Sequence, residues 1–364
     1  MNSKLTLLLC VFFFLGSYTK TDDFLIKDLV INDEVLSFAG TDLKINVNSK
    51  GGTLVTNSRL NAIYLFSKEG EKKKKISREG KGPGEFIGLG DTFLDENDDL
   101  HVLDQTLGKI STFSSPNYDV SDETIILPNI SYQRPEHLFV PSNSNYLIAY
   151  SEILSIQNPK REKNTLYSFD SLSNTIKDTV LTYQDNQLFV YTNRNQIGTS
   201  NVPFGYKSVL KLGPQGDIYW GKTDRDYIQV FNQNGKSKNK INIEYQPVKI
   251  PSEFLQKMRA VASSNSTGAE SLKKLLEADV IPDVIPVFDW FVVDDKKRVW
   301  VAVNTAVDQE SYSLKVFDQE GNKINETMLP VAVQLQVVRD GYAYGIQKDE
   351  DEIQSLVRYK INGL

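Results

Sequence analysis

Read for polarity alone, the chain repeats one short phrase: an aliphatic residue followed three places later by an aromatic, set among alternating polar positions. It occurs at Ile63/Phe66, Ile110/Phe113, Leu166/Phe169, Ile228/Phe231, Leu314/Phe317 and Leu356/Tyr359. Upstream of these pairs, turn-forming clusters lead into short runs of β-branched and aromatic residues, as in NSKGGTLVT, DENDDLHVLD, GPQGDIYWG, DDKKRVWVAV and RDGYAYGI. Runs of that composition bounded by turn residues predict strands joined by hairpins. A weaker run follows each pair (KKKKIS, ETIILP, KDTVLTY, SKNKINIEY, KINETMLP), so a unit predicts four antiparallel strands.

The aliphatic anchors are 47, 56, 62, 86 and 42 residues apart. Periods of about 40–50 residues signal stacked repeats, since one such unit cannot bury both of its faces alone. The pattern predicts an all-β fold, a six-bladed β-propeller of four-stranded antiparallel blades. A sandwich is the competing architecture, but it has no need of six copies of one phrase. The last unit shows only three strands, so residues 24–31 (FLIKDLVI) are expected to pair with it and close the ring, leaving no long edge exposed.

The 86-residue step contains an insertion. PSEFLQKMRAVA places Phe254, Leu255, Met258 and Val261 on one helical face, and TGAESLKKLLEADV offers a capping box at Thr267 and Glu270 with Leu272, Leu275 and Leu276 as its stripe. Pro282 and Pro286 end it. Residues 251–286 are therefore expected to form a helical hairpin between blades 4 and 5.

Composition narrows the picture. The repeats cross every plausible boundary in the 364 residues, so one domain is expected, and 40% hydrophobic content with 18 Phe and 17 Tyr suits sheets packed face to face. A formal charge of −6 argues against nucleic-acid and anionic-membrane partners. The Lys72 to Lys75 run fits an outer strand whose lysines block edge pairing. The start, MNSKLTLLLCVFFFLGSYTK, has the layout of a secretory leader, and its apolar run is too short to span a bilayer. Residues 1–19 are expected to be removed, with cleavage within 16–20, leaving residues 20–364 as the propeller. The sole cysteine, Cys10, leaves with the leader; bulky Leu9 before it and apolar residues after it argue against lipid attachment. A periplasmic or extracellular protein without disulfides is expected.

Residues 76–114, ISREGKGPGEFIGLGDTFLDENDDLHVLDQTLGKISTFS, resemble the NHL repeat: a Gly-rich stretch ending in Phe, then a strand, a turn, V-x-D and I-x-x-F. The GPGEF of residues 82–86 behind a leader is similar to exported six-bladed propellers of Bacteroides-related bacteria. That resemblance implies the fold and export, and carries no activity. The third unit departs from it, having no Gly-rich stretch before Pro135. Physically, EGKGPGEF needs only turn chemistry, and it lacks the G-x-x-x-x-G-K-[ST] spacing of a phosphate loop. Its backbone N–H groups aimed at a ligand are the functional alternative.

Candidate chemistry is sparse. His101 aligns with Tyr219 and Trp300 of sister strands and reads as a packing position. NHL-like lyases hold a channel metal largely with histidines, which two histidines cannot reproduce. The innermost strands carry Asp91, Glu136, His137 and Asp289, an oxygen-rich set of the kind that holds calcium in paraoxonase-like propellers. DENDD at residues 95–99 lacks the glycine and glutamate of a calcium loop and reads as a hairpin turn. No G-x-S-x-G, H-E-x-x-H or paired C-x-x-C occurs. The expectation is a non-catalytic, cofactor-free binding or scaffold module that recognises a glycan, peptide or protein. Its face would be formed by the EGKGPGEF, 192–206 and 251–286 crossings, with Arg78, Glu85, Arg134, Arg194 and Tyr206 as contacts. The alternative is a metal-dependent lyase or hydrolase with a channel cation, calcium first, on Asp91, Glu136, His137 and Asp289.

Overall fold

The computed structural model describes residues 24–37, 43–142, 145–155, 161–193, 196–264 and 268–364; the leader, Cys10, Arg194 and Thr267 lie outside them. Six four-stranded antiparallel sheets follow one another along the chain. Their innermost strands are Leu43–Val47, Leu89–Leu94, Gln133–Ser142, Ser208–Leu212, Phe288–Val293 and Val333–Arg339, which open blades 1 to 6 in that order.

Each repeated pair sits on the third strand of its blade. Ile63, Phe66, Ile110, Phe113, Leu166, Phe169, Leu314 and Phe317 are at most 1% exposed. Three residues apart on a strand would face opposite sides, so one member packs against each neighbouring blade. Tyr359 and Val357 of blade 6 accordingly share a core cluster with Trp300 and Leu314 of blade 5. Each blade is thus buried on both faces only by its neighbours, which is why the ring must close.

Closure uses the early strand. Leu25–Ile31 pairs antiparallel with Gln354–Ile361, from Leu25 opposite Ile361 to Ile31 opposite Leu356. Arg358, almost buried, forks onto Asp28 (Nη2 to Oδ2, 2.9 Å) and donates through Nη1 to the Lys68 carbonyl at 2.7 Å. Phe24 stacks on Trp300 of blade 5 with centroids 5.7 Å apart. The Lys72–Lys75 strand is the outermost of blade 1, with three of its four lysines exposed.

Two sequence readings resolve at once. Residues 95–99 form a tight turn, with the Asp98 N–H on the Asp95 carbonyl (3.1 Å) and Asp98 at φ +65°. His101 is 5% exposed, bonded to Asp95 at 3.2 Å and edge-on to Tyr146, a packing residue.

The insertion is helical: α1 spans Ser252–Ala262 and α2 spans Ala269–Glu277. Met258 and Leu275 are buried. Val261, expected on the apolar face, is 51% exposed in the last turn of α1, so the buried stripe is shorter than the pattern suggests. Gly268, at φ +88°, precedes α2 without a side-chain cap. Among the described residues no helix is long and apolar enough to cross a membrane.

Candidate functional site

The six inner strands enclose a channel of about 860 Å³. Where two strands abut, side chains stitch them: Gln336 of blade 6 donates to the Leu43 carbonyl (2.7 Å) and accepts from the Ile45 N–H (2.8 Å) of blade 1. Arg339 donates to the Val47 carbonyl at 2.7 Å. Backbone groups that neighbouring blades cannot pair are satisfied in this way.

Asp91 is the most constrained group on the wall. It is 9% exposed, ion-paired with Lys44, and accepts the Leu138 N–H at 2.9 Å, so blades 1, 2 and 3 meet on one carboxylate. His137, 49% exposed, puts Nδ1 3.6 Å from Asp91 Oδ2. Burial alone would raise the Asp91 carboxyl, but Lys44 and His137 outweigh it and hold it well below the usual carboxylate range.

Neither of the other two expected cation ligands joins Asp91 and His137. Glu136 is not among the residues lining the channel; it takes a hydrogen bond from Ser151 and pairs with Arg161 at 2.6 Å, which in turn pairs with Asp185. Burial opposes its charge, yet Ser151 and Arg161 prevail and its carboxyl is lowered. Pairing with the next strand slips between Pro135 and His137, leaving Glu136 as the extra residue of a bulge, turned to Ser151 and Arg161 while His137 stays on the channel wall. Asp289 does line the channel, but it is held by Lys207 and by the Tyr312 hydroxyl at 3.0 Å. Among the described residues no three His, Cys, Asp or Glu side chains come together as a metal site.

The Gly-rich crossing is built to hold itself. Gly80 and Gly84 have φ +148° and +67°, and Arg78–Glu79 runs parallel to Glu85–Phe86. Glu85 is spent inside the loop, accepting the Gly82 N–H at 2.9 Å. Buried Lys109 donates to the Lys81 and Gly82 carbonyls at 3.0 and 2.6 Å. Asp104, the acid of V-x-D, accepts the Ile87 and Gly88 N–H groups at 2.9 and 3.3 Å. Arg78 is exposed and has no side-chain partner among the described residues; Arg134 is half-exposed, 4.0 Å from Glu136. Arg194 lies outside the described residues.

The crossing from blade 3 to blade 4 is more than the linker the sequence suggests: Leu188–Asn193 and Gln196–Asn201 form a hairpin. The helical insertion docks on it. Phe204 meets Phe254 edge-on at 4.9 Å, Lys274 lies 5.3 Å over the Tyr191 ring, and Gln187 donates to the Val280 carbonyl at 3.1 Å. Between them opens a pocket of about 790 Å³ walled by Phe204, Tyr206, Tyr227, Tyr245 and Pro282, with Asp224 and Arg225 in its lining. Lys222 caps the Tyr206 ring at 3.6 Å and pairs with Asp224 at 2.8 Å. Burial, then Asp224, raises the Tyr206 hydroxyl, which keeps it a neutral donor. Tyr206 lines this pocket while Lys207, the next residue, lines the channel. The pocket's second wall, brought by residues 280–287, had no sequence signal beyond its prolines.

Fold and channel together define a six-bladed propeller of four-stranded antiparallel blades, and the comparisons with known proteins agree on that class. A family model described as a 6-bladed beta-propeller matches residues 42–212. No curated protein matches the chain. Among solved structures it is similar to a Bacteroides fragilis protein proposed to be exported, 14% identical, with a TM-score of 0.53 over 94% of this chain and 97% of that one. It is likewise similar to a member of the DUF4221 family from Bacteroides vulgatus, 12% identical, TM-score 0.54, covering 93% and 98%. At such identities the likeness is one of fold.

Proposed function

We propose that the protein is an exported binding propeller that takes a glycan, peptide or protein partner on the face built by its elaborated crossings. The observation that carries this is the Tyr206 pocket, whose walls come from the two longest crossings and which combines aromatic rings with a few charged groups. Concave, largely apolar sites with sparse polar groups are the usual form of a ligand site. Arg78 and Arg134 are exposed and available to a partner, whereas Glu85 acts on its own loop. Export rests on the leader-like start, and the mass of the secreted protein tests it: an intact residue 1–19 segment, or a lipid on Cys10, contradicts a soluble exported form.

The binding reading is tested with the full mature chain, Tyr206→Ala, and a variant in which residues 252–283 are replaced by a short Gly/Ser bridge. All three are screened against a glycan array and a random peptide library. Hits of the full chain that both variants lose, with blades folded by circular dichroism, support the face. Hits that both variants keep put the site on another surface, and unfolding of the bridged variant makes the insertion part of the core.

A second reading, lyase or hydrolase chemistry with a channel cation such as calcium, draws on the contact of His137 with Asp91. Stoichiometric calcium or zinc in the purified protein, lost on Asp91→Asn, would favour it over the first.

A further inference from the structure

The cations of the channel wall are matched with carboxylates almost one for one. Lys44 pairs with Asp91, Lys207 with Asp289, Arg339 with Asp340 at 3.0 Å and Lys348 with Glu352 at 2.9 Å. Lys211 is left over. It lies on the innermost strand of blade 4, lines the same channel, and has no hydrogen-bond or ion-pair partner among the described residues. Lys211 is partly buried on that wall, so its ammonium gives up part of its hydration with no protein partner in return.

We infer that Lys211 is the anchor of a carboxylate-binding site in the central channel. An arriving carboxylate supplies the partner that the fold withholds. Burial, reinforced by Lys44, pushes the Lys211 amine down to about 8, opposed by Asp91, so at neutral pH it is still mostly charged while its charge is poorly compensated. A singly charged oxyanion fits better than a phosphate. A lone lysine meets a phosphate only as a point charge, without the Arg fork or clustered backbone N–H groups that would satisfy its further oxygens, and the Arg339 guanidinium is already committed to Val47 and Asp340. Asp91 and Asp289 on the same wall would also repel a second negative charge. The channel, about 860 Å³, accommodates a small organic acid or the acidic end of a longer glycan or peptide. This site is separate from the Tyr206 pocket and stands or falls independently of it.

The test uses the full mature chain and four probes: acetate, glucuronate, and a tri-alanine peptide with a free or an amidated C-terminus, with glucose as the uncharged control. Reductive methylation followed by peptide mass mapping reads Lys211 directly, and calorimetry reads affinity. At least one of the free acids should slow methylation of Lys211 while glucose and the amidated peptide do not. Lys211→Met should weaken the calorimetric affinity at least about tenfold, and Lys211→Arg should retain most of it. Preference for acetate, glucuronate or the peptide distinguishes a free acid, an acidic sugar and a chain terminus as the source. Protection by none of the acids, equal protection by glucose, or unchanged affinity in Lys211→Met overturns the assignment; the methylation measurement on the unaltered chain decides even if the variant misfolds.

Discussion

Replacing Asp104 by alanine removes the acceptor on which the Gly-rich crossing and the adjoining turn both hang. The side chain is fully buried and accepts from Ile87 (2.9 Å), Gly88 (3.3 Å), Thr106 (2.9 Å) and Leu107 (2.8 Å). Hydrogen bonds to a charged acceptor contribute roughly 1.5–3 kcal/mol each, but these share one carboxylate, and the freed N–H groups are only part-buried and regain some water. The expected loss is therefore about 3–5 kcal/mol, below the simple total. With an unfolding entropy of roughly 2 cal/mol/K per residue, a chain of this length loses about 1.5 °C of Tm per kcal/mol, so the midpoint should fall by about 5–7 °C. Asp104→Asn keeps one carbonyl oxygen and should fall about half as far. Thermal melting by circular dichroism measures both, and hydrogen exchange at Ile87 and Gly88 shows whether the crossing loosens before the blades. A drop of less than about 1 kcal/mol for the alanine variant would refute the reasoning.

Two further outcomes are expected. The Lys211 amine titrates near 8 in the folded chain against 10.5 unfolded, so the unfolded chain binds more protons between those values; the penalty is full below about pH 8 and fades as pH rises toward 10.5. Lys211→Met should thus be more stable than the unaltered protein at pH 7 by about 1–2 kcal/mol, allowing for screening by channel water, and lose that advantage by about pH 10.5; a gap independent of pH contradicts it. Arg358→Met breaks the fork to Asp28 and the bond to the Lys68 carbonyl, and should cost about 2–3 kcal/mol and speed amide exchange across Leu25–Ile31. Unchanged exchange in that strand would show that closure does not depend on the fork.

Much of the fold is local information and was legible. Turn clusters, period-two alternation and the aliphatic–aromatic phrase each act over a few residues, and together they predict four strands per unit and six units. The missing fourth strand of the last unit even points to residues 24–31 as its partner, since an unpaired edge is unstable wherever it occurs. His101 and the DENDD turn were readable for the same reason: their surroundings repeat in sister blades. The hairpin at Leu188–Asn193 and Gln196–Asn201 was not readable, because it belongs to no repeat.

The sites are another matter. The sequence reading puts both Glu136 and His137 on the axis; a bulge between Pro135 and His137, which only the pairing of the strands reveals, turns Glu136 to Ser151 and Arg161 and leaves the channel to His137. Lys211 sits in VLKL, where its pattern is that of any solvent-facing strand lysine; nothing within blade 4 marks it. Lys44, Asp91, His137 and Lys211 come from four blades, and the Tyr206 pocket closes only when residues 280–287 fold back over blade 4. The chain by itself determined strands, turns and the number of blades, because those follow from short-range sterics and side-chain alternation. Which polar residues share the central channel, and which of them lack a partner there, is decided by ring closure, since charge pairing depends on distances that exist only once all six blades stand around one axis.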